Sequence, residues 1–156
     1  MAAKKMAIIA TKGALDMAYP PLILASTAAA LGWEVQIFFT FYRLQLLRKD
    51  LSGNAISPLA NPAMPMPVPM PVVVSVLPGM QAMATSMMKA KMKKKGVASL
   101  EELRSLCQEA EVKFIACQMT VDLFEFSKSD FIDGIEYGGA ATFMKFAGET
   151  DVCLFI

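Results

Sequence analysis

The sequence contains no histidine, and this absence excludes several common kinds of active site. Ser-His-Asp triads, Cys-His pairs and HExxH zinc sites all need an imidazole as a base or a ligand. Any chemistry must therefore come from Cys, Lys, Tyr, Asp or Glu side chains. The chain also lacks GxGxxG, P-loop and EF-hand patterns, so we expect no metal and no organic cofactor.

Cysteine is scarce, because only Cys107, Cys117 and Cys153 occur in the chain. An odd, sparse set without a CxxC pair is untypical of a disulfide-framed secreted domain, and it offers few ligands for a zinc site. The apolar run at residues 6–10 is too short for the core of a signal peptide. We therefore expect a cytoplasmic, reducing setting in which the cysteines are thiols.

The chain also has almost no excess of positive over negative charge. The 15 Lys and Arg residues nearly balance the 14 Asp and Glu residues, which gives a net charge of +1. No overall field attracts a nucleic acid, so we expect no nucleic-acid partner. Hydrophobic residues are abundant at 55%, and a chain of this composition and length can bury a core rather than remain disordered.

The first part of the chain predicts a βαβ unit. Residues 6–10 and 33–40 have the apolar, β-branched and aromatic composition of strands. The Ala- and Leu-rich stretch between them, residues 15–31, predicts a helix. Because Pro20 and Pro21 interrupt this stretch, we expect an irregular first turn and a regular helix from about Pro21. A strand, a helix and a strand in this order imply a parallel sheet.

The last part of the chain repeats this pattern. Ser99 and Glu102 form a capping-box sequence, and the apolar face that follows predicts a helix. Strands are expected at residues 112–117 and 151–156. Further helices are expected at residues 120–126, 129–135 and 140–147. The whole predicts a single α/β domain over residues 1–156, a three-layer α/β/α sandwich with a mostly parallel sheet of about five strands.

The middle of the chain, at about residues 51–95, is interpreted as an insert rich in proline and methionine. No residue between Asp50 and Lys89 is charged, and seven of the nine prolines lie there. Alternating prolines block helix and central strand, so residues 65–71 should be extended. From Gly79 a methionine-rich helix should run into a lysine-rich end. A subunit interface or an active-site flap is the favoured role, and a membrane-surface helix is the alternative.

Cys117 is the main candidate for a reactive side chain. It ends an apolar strand directly before a helix, and ligands of open parallel sheets bind at the carboxyl ends of strands. Free N–H groups at a helix start favour the thiolate, which is the nucleophilic form of cysteine. Burial as a small core residue explains the same position equally well. Asp122 follows in the first turn of this helix, where its charge suits the helix dipole.

Four further candidates should share the sheet edge with this cysteine. Thr11, Lys12 and Gly13 end the first strand, and Thr40 ends the second. Lys12 could bind an anionic substrate or steady a thiolate, although a solvated loop lysine is the simpler interpretation. The edge therefore predicts a small polar neighbourhood around the thiol.

The other two cysteines are expected to be core residues. Cys107 lies on the apolar face of the helix that precedes the Cys117 strand. Helix and strand run in opposite directions, so Cys107 should lie about 6 Å and Cys117 about 16 Å from their shared turn, too far apart for a disulfide. Cys153 lies inside the last predicted strand.

Four segments of the chain carry a resemblance to a known family. They are residues 5–13 (KMAIIATKG), 35–41 (VQIFFTF), 114–122 (FIACQMTVD) and the Gly138–Gly139 stretch. Their sequence and order resemble the DsrE/DsrF-like family, in particular the branch often labelled peroxiredoxin-like, with a Pro/Met-rich insert. One departure is Arg43, where the family pattern has a small residue. If the site lies against that turn, Arg43 would alter access or anion binding.

The resemblance implies a sulfur carrier or sulfurtransferase. Cys117 matches the family's active cysteine, which takes up sulfane sulfur as a persulfide, or thiosulfate as a thiosulfonate, and passes it to the thiol of a partner protein. The resemblance also implies a homotrimer or homohexamer, contact with a membrane in some members, and an accessory role for Cys107. Peroxiredoxin chemistry is not expected, because the chain has no thioredoxin-type pattern.

Two other functions follow from the insert. A non-enzymatic oligomeric scaffold would use the uncharged Met/Pro-rich stretch as a contact surface. A membrane-surface adaptor would use the helix at residues 80–95 with its lysines. Neither function needs a reactive Cys117.

Overall fold

A parallel sheet of five strands organises the structure, a computed structural model that describes residues 3–57 and 71–156. The strands are β1 (Lys5–Ala10), β2 (Glu34–Phe39), β3 (Lys113–Cys117), β4 (Glu136–Gly138) and β5 (Val152–Phe155). Their order across the sheet is β4-β3-β2-β1-β5, and each neighbouring pair is parallel. The carboxyl ends of all five strands therefore lie at one edge.

Helices pack on both faces of this sheet, as the α/β prediction requires. The α-helices are α1 (Leu15–Ala30), α2 (Val72–Ser75), α3 (Met80–Lys94), α4 (Leu100–Glu109), α5 (Gln118–Leu123) and α6 (Ala140–Ala147). Short 3₁₀ segments span Phe41–Leu47 and Lys128–Asp130. The prediction of an α/β fold with a parallel sheet of about five strands is confirmed.

The two faces of the sheet bury separate cores, because side chains alternate along each strand. On the first face, α1 and α4 cover a large core that includes Ile8, Ile37 and Phe114. On the second face, α6 covers a smaller core, and its Phe143 stacks on Phe38 with ring centroids 5.0 Å apart. The face that a side chain takes therefore decides which helices it can contact.

Helix α1 begins at Leu15, so the expected irregular turn before Pro21 is wrong. Pro20 and Pro21 both lie inside the helix. A proline removes the N–H that would bond the carbonyl four residues earlier, which Pro21 does for the Met17 carbonyl. That carbonyl accepts instead from the Nη2 of Arg43. A side chain from another element thus supplies a donor that the helix itself lacks.

The capping box at the start of α4 is confirmed. The Ser99 Oγ accepts from the Glu102 N–H at 3.2 Å, and the Glu102 carboxylate accepts from the Ser99 N–H at 2.7 Å. Two backbone donors that have no partner within the helix are satisfied in this way.

The helix predicted at residues 129–135 is wrong. The chain forms the short 3₁₀ segment Lys128–Asp130 and then extends into β4, which the sequence analysis missed. A strand of three residues shows too little alternation to be recognised in a sequence. It exists because β3 offers a free edge, on which Gly138 pairs with Cys117.

Cys153 is exposed, so its expected place in the core is also wrong. It lies on the edge strand β5, where half-buried and exposed side chains alternate. Cys153 takes one of the exposed positions. A strand at the edge of a sheet has a neighbour on one side only, and this leaves part of it uncovered.

The insert is described in part. The methionine-rich helix forms as α3, and Gly96 follows it with a φ of 71°. The proline run at residues 65–71 lies outside the described residues, except for Pro71. Within residues 3–57 and 71–156, no helix has both the length and the apolar character needed to cross a bilayer.

The capping box yields a prediction about stability. Ser99→Ala should lower the free energy of unfolding by about 1 kcal/mol, because it removes the side-chain acceptor at the start of α4. Urea unfolding measures this change. Ser105→Ala is the matched control, since Ser105 is exposed within the same helix. Equal losses in the two variants would contradict the capping argument.

Candidate functional site

Cys117 lies at the carboxyl edge of the sheet, where β3 passes directly into α5. It is the last residue of β3 and the N-cap residue of α5, which begins two residues earlier than predicted. Its side chain points to the second face and packs in the small core with Phe38, Ile115 and Phe143. Only 4% of the residue is exposed. The thiol is therefore recessed at a strand-to-helix junction.

Two buried threonines meet at this junction. Thr40 directly follows β2, and Thr120 lies in α5. Their hydroxyl oxygens are 3.2 Å apart, and the Phe41 N–H also donates to the Thr120 hydroxyl at 3.3 Å. Thr40 follows β2, and Thr120 lies in the helix that follows β3. Because β2 and β3 are neighbouring parallel strands, the sheet brings the two hydroxyls together.

The threonines act on the thiol through hydrogen bonds. Burial raises the pKa of Cys117, but hydrogen bonds to its sulfur outweigh burial and hold the pKa below its ordinary value. The groups that act on the sulfur are the hydroxyl and N–H of Thr120, the hydroxyl of Thr40 and the N–H of Met119. Because the two hydroxyls share one hydrogen bond, only one of them at a time can donate its proton to the sulfur. Donors of this kind stabilise the charged form of a thiol. The site therefore favours the nucleophilic thiolate.

The turn after β2 is strained. Phe41 has a φ of 50°, in the left-handed region that bulky residues seldom adopt. Such a conformation costs about 1–3 kcal/mol and persists only where the surrounding structure holds it. Gly13 is part of that surrounding structure, because a Cβ added there would lie 2.8 Å from the Cβ of Tyr42. Glycine thus lets the loop after β1 lie directly against the turn.

The remaining predicted edge residues have other contacts. The Thr11 N–H and hydroxyl both donate to the Ile156 carbonyl and so join the ends of β1 and β5. Lys12 is exposed, and no cation of the described residues is among the groups that shift the Cys117 pKa. Asp122 accepts from the Gln118 side chain at 2.7 Å on the exposed side of α5. Of the predicted edge residues, Thr40 acts on the thiol directly. Gly13 acts indirectly, because it packs against Tyr42 in the turn that carries Thr40.

Cys107 lies on the other side of the sheet. It belongs to the core of the first face, whereas Cys117 belongs to the core of the second. Its Sγ donates to the Leu22 carbonyl at 3.4 Å, and burial raises its pKa to about 11. Cys107 is therefore a protonated thiol at neutral pH. The sheet separates it from Cys117, so the accessory role that the family resemblance implies has no geometric support.

Arg43 does not face an anion site, contrary to the expectation from the family pattern. It is 1% exposed, and its guanidinium points into the molecule toward the Met17 carbonyl of α1. The physical reason is the Met17 carbonyl, which has no donor within α1 because Pro21 lacks an N–H, and which accepts from Arg43 instead. Arg43 therefore neither narrows access to Cys117 nor offers it a charge.

The Thr120 hydroxyl is the functional group that sequence reasoning missed. The sequence predicts that backbone N–H groups at the start of this helix contact the thiol, but it does not predict a contact from the Thr120 side chain. The available signal was its position three residues after Cys117, where a hydroxyl in the first helical turn can reach back to the strand end. Among the described residues no group of three or more acidic or cysteine side chains that could hold a metal comes together.

Exposed apolar side chains belong to the two segments that meet at the thiol. We call them the apolar rim: Phe41, Tyr42, Met119, Leu123 and Phe124. Tyr42 and Phe124 stack with ring centroids 6.0 Å apart, which joins the turn after β2 to the end of α5. The recessed thiol thus has apolar surface on the segments that carry it.

The fold and the site define the chain as an α/β protein with a parallel sheet and a recessed cysteine at a strand-to-helix junction. The same fold occurs in the ychN protein from E. coli, with a TM-score of 0.56 over 98% of this chain and 99% of that chain, at 12% identity. The family model of the DsrE/DsrF/DrsH-like family matches residues 2–155. The chain belongs to this family, which confirms the resemblance at the level of the family.

Two relatives extend over nearly the whole chain. A protein of Allochromatium vinosum, named sulfur carrier protein DsrE2, is 68% identical over 160 aligned residues and covers 100% of both chains. The uncharacterized protein YrkE of Bacillus subtilis is 32% identical and covers 98% of this chain and 97% of its own.

The threonine pair yields a prediction about the thiol. Thr120→Val should raise the pKa of Cys117, because the sulfur loses a hydroxyl donor that stabilises its charged form. Less thiolate is then present at neutral pH, so alkylation by iodoacetamide should be slower there. The pH dependence of alkylation, followed in a protein carrying Cys107→Ser and Cys153→Ser, measures the shift.

Thr120→Ser keeps the hydroxyl and should retain the wild-type pH dependence. Thr27→Val is the matched control, because the Thr27 hydroxyl donates to the Ile23 carbonyl on the exposed side of α1. An unchanged midpoint in Thr120→Val would show that the hydroxyl does not act on the sulfur.

Proposed function

We propose that this protein is a sulfur carrier that takes up sulfane sulfur on Cys117 and relays it to the thiol of a partner protein. The observation that carries the proposal is the buried Thr40–Thr120 pair, whose hydrogen bonds favour the Cys117 thiolate. The relative named sulfur carrier protein DsrE2, at 68% identity over the whole chain, supports the same role.

Loading of the site is a thiolate–sulfur exchange. The Cys117 thiolate attacks a sulfane sulfur and forms an S–S bond, while the bond between that sulfur and the rest of the donor breaks. The donor leaves with the electron pair, as a shorter polysulfide. With tetrathionate the same attack gives a thiosulfonate on Cys117, and thiosulfate leaves.

Relay to the partner is the reverse type of exchange. A partner thiolate attacks the outer sulfur of the Cys117 persulfide, and the bond to the Cys117 Sγ breaks. Cys117 then leaves as a thiolate, and a thiol of low pKa leaves faster. The donors from Thr40, Thr120 and Met119 would thus assist both steps, because each step begins or ends with negative charge on the same sulfur.

The recessed position of Cys117 fits a relay. A persulfide adds a sulfur about 2 Å beyond the Sγ, so the loaded form presents its reactive atom further out than the free thiol does. The apolar rim supplies surface that a partner protein can cover while its thiol approaches. A homotrimer or homohexamer belongs to the same proposal.

Mass spectrometry of the intact protein tests the proposal. The reduced protein is incubated with polysulfide or, separately, with tetrathionate. The protein carries Cys153→Ser, because the exposed Cys153 thiol would otherwise react as well. In this background we expect a sulfur-sized or thiosulfate-sized adduct that dithiothreitol removes and that Cys117→Ser abolishes. Cys107→Ser is the matched control and should load like the parent protein.

Two results would contradict the assignment. An adduct that persists in Cys117→Ser would move the carrying site to another cysteine. No adduct in any of the proteins would make Cys117 a structural residue of the second core.

The surface of α2 and α3 favours a second candidate function, as an oligomeric scaffold or a membrane-surface adaptor. Six large apolar side chains are exposed there: Val72, Val73, Val76, Leu77, Met83 and Met87. Lysines follow in the last turn of α3. A surface of this kind is typical of contact with a protein or an anionic lipid.

Charge substitution on this surface tests the second candidate. Val73→Glu with Met87→Glu should reduce the size of an assembly in light scattering, or abolish flotation with anionic vesicles, because a carboxylate resists burial. Sulfur loading of Cys117 should be unaffected. Unchanged size together with no flotation of the wild type at low salt would remove this candidate.

A further inference from the structure

Arg43 is a buried charged side chain whose guanidinium is directed toward α1 and not toward Cys117. Its Nη2 donates to the Met17 carbonyl, and its Nε has no hydrogen-bond partner among the described residues. Burial lowers the pKa of its guanidinium to about 10, and the nearby Asp16 opposes this effect. Burying a guanidinium with so few partners is unfavourable, so its presence calls for a physical reason.

Pro21 explains why the Arg43 guanidinium is directed toward α1. Because Pro21 has no N–H, the Met17 carbonyl lacks its partner within α1. The Arg43 guanidinium supplies a donor to this carbonyl in a partly buried contact, which offsets the loss of the helical hydrogen bond. Arg43 and Pro21 are therefore complementary.

The backbone of Arg43 connects the residue to the turn after β2. Its N–H donates to the Thr40 carbonyl at 3.2 Å and closes the turn that contains the strained Phe41. The same turn presents the Thr40 hydroxyl and the Phe41 N–H to Thr120. Arg43 thus links α1 to the segment that carries the Thr40 hydroxyl and the Phe41 N–H.

We propose that Arg43 is a positioning residue for Cys117. By tethering the turn after β2 to the carbonyl that Pro21 leaves free, it holds Thr40 and Phe41 against Thr120 and so maintains the hydroxyl donors at the sulfur. The inference rests on the proposed function only in taking the Cys117 thiolate as the group that loads sulfur.

Arg104 provides a matched control inside the same molecule. It is also buried, and its Nη1 donates to the Leu46 carbonyl at 2.9 Å and to the Arg48 carbonyl at 2.6 Å. These contacts hold the far end of the 3₁₀ segment that begins at Phe41. Its recorded hydrogen bonds do not involve Thr40 or Thr120. Loss of Arg104 should therefore destabilise the fold without changing the thiol.

The test is the pH dependence of Cys117 alkylation by iodoacetamide, in a protein carrying Cys107→Ser and Cys153→Ser. Arg43→Met should move the midpoint upward by about 0.5–1 pH unit, which slows alkylation roughly three- to tenfold below the midpoint. Arg104→Met should lower the melting temperature and leave the midpoint unchanged. If Arg43→Met does not fold, Arg43→Gln is the second variant, because it removes the guanidinium that donates to the Met17 carbonyl and keeps a polar side chain.

A second comparison separates positioning from stability. Pro21→Ala returns an N–H to α1 and satisfies the Met17 carbonyl without Arg43. Arg43→Met in the Pro21→Ala background should therefore regain melting temperature relative to Arg43→Met alone but keep the raised midpoint. Restoration of the wild-type midpoint in this double variant, an equal shift in Arg104→Met, or no shift in Arg43→Met would each overturn the proposal.

The sulfur-carrier assignment fails on a different measurement. A wild-type protein that takes no adduct from tetrathionate, while Arg43→Met still shifts the midpoint, would remove the proposed function and leave the positioning role in place. A wild type that loads, with a wild-type midpoint in Arg43→Met, would remove the positioning role alone.

Discussion

The parallel pairing of β2 with β3 is the constraint on which the site depends. This pairing sets Phe39 opposite Ala116, so the next residues, Thr40 and Cys117, lie side by side at the carboxyl edge of the sheet. A slip of β3 by one residue would turn Phe114 away from the first core, where its ring centroid lies 5.3 Å from that of Phe39. Hydrophobic burial on one face of the sheet therefore fixes the polar contacts at its edge.

The site gathers features that are unfavourable one by one. A recessed thiol, two buried hydroxyls, a left-handed Phe41 and a buried Arg43 all lie within or beside the turn after β2. Neighbouring groups offset part of this cost: the two hydroxyls share a hydrogen bond, and the guanidinium Nη2 donates to the carbonyl that Pro21 has freed. Departures of this kind from local preference are expected where a protein has a function to perform.

Local patterns predicted the elements whose cause is local. The capping box, the βαβ unit and the helix after Gly139 all follow from neighbouring residues, and the structure contains them. Elements with a distant cause were misjudged. Strand β4 forms because β3 offers an edge, α1 includes its prolines because Arg43 supplies a donor, and Cys153 is exposed because β5 has one neighbour.

The sequence by itself excluded sites that need an imidazole, because histidine is absent, and it predicted that Cys117 ends a strand before a helix. It also determined membership of the family through motifs in a fixed order. Only the tertiary structure decided which groups surround the sulfur. Thr40 and Thr120 are 80 residues apart in the chain, and the form of a thiol depends on the donors that reach it in space, not on its neighbours in sequence.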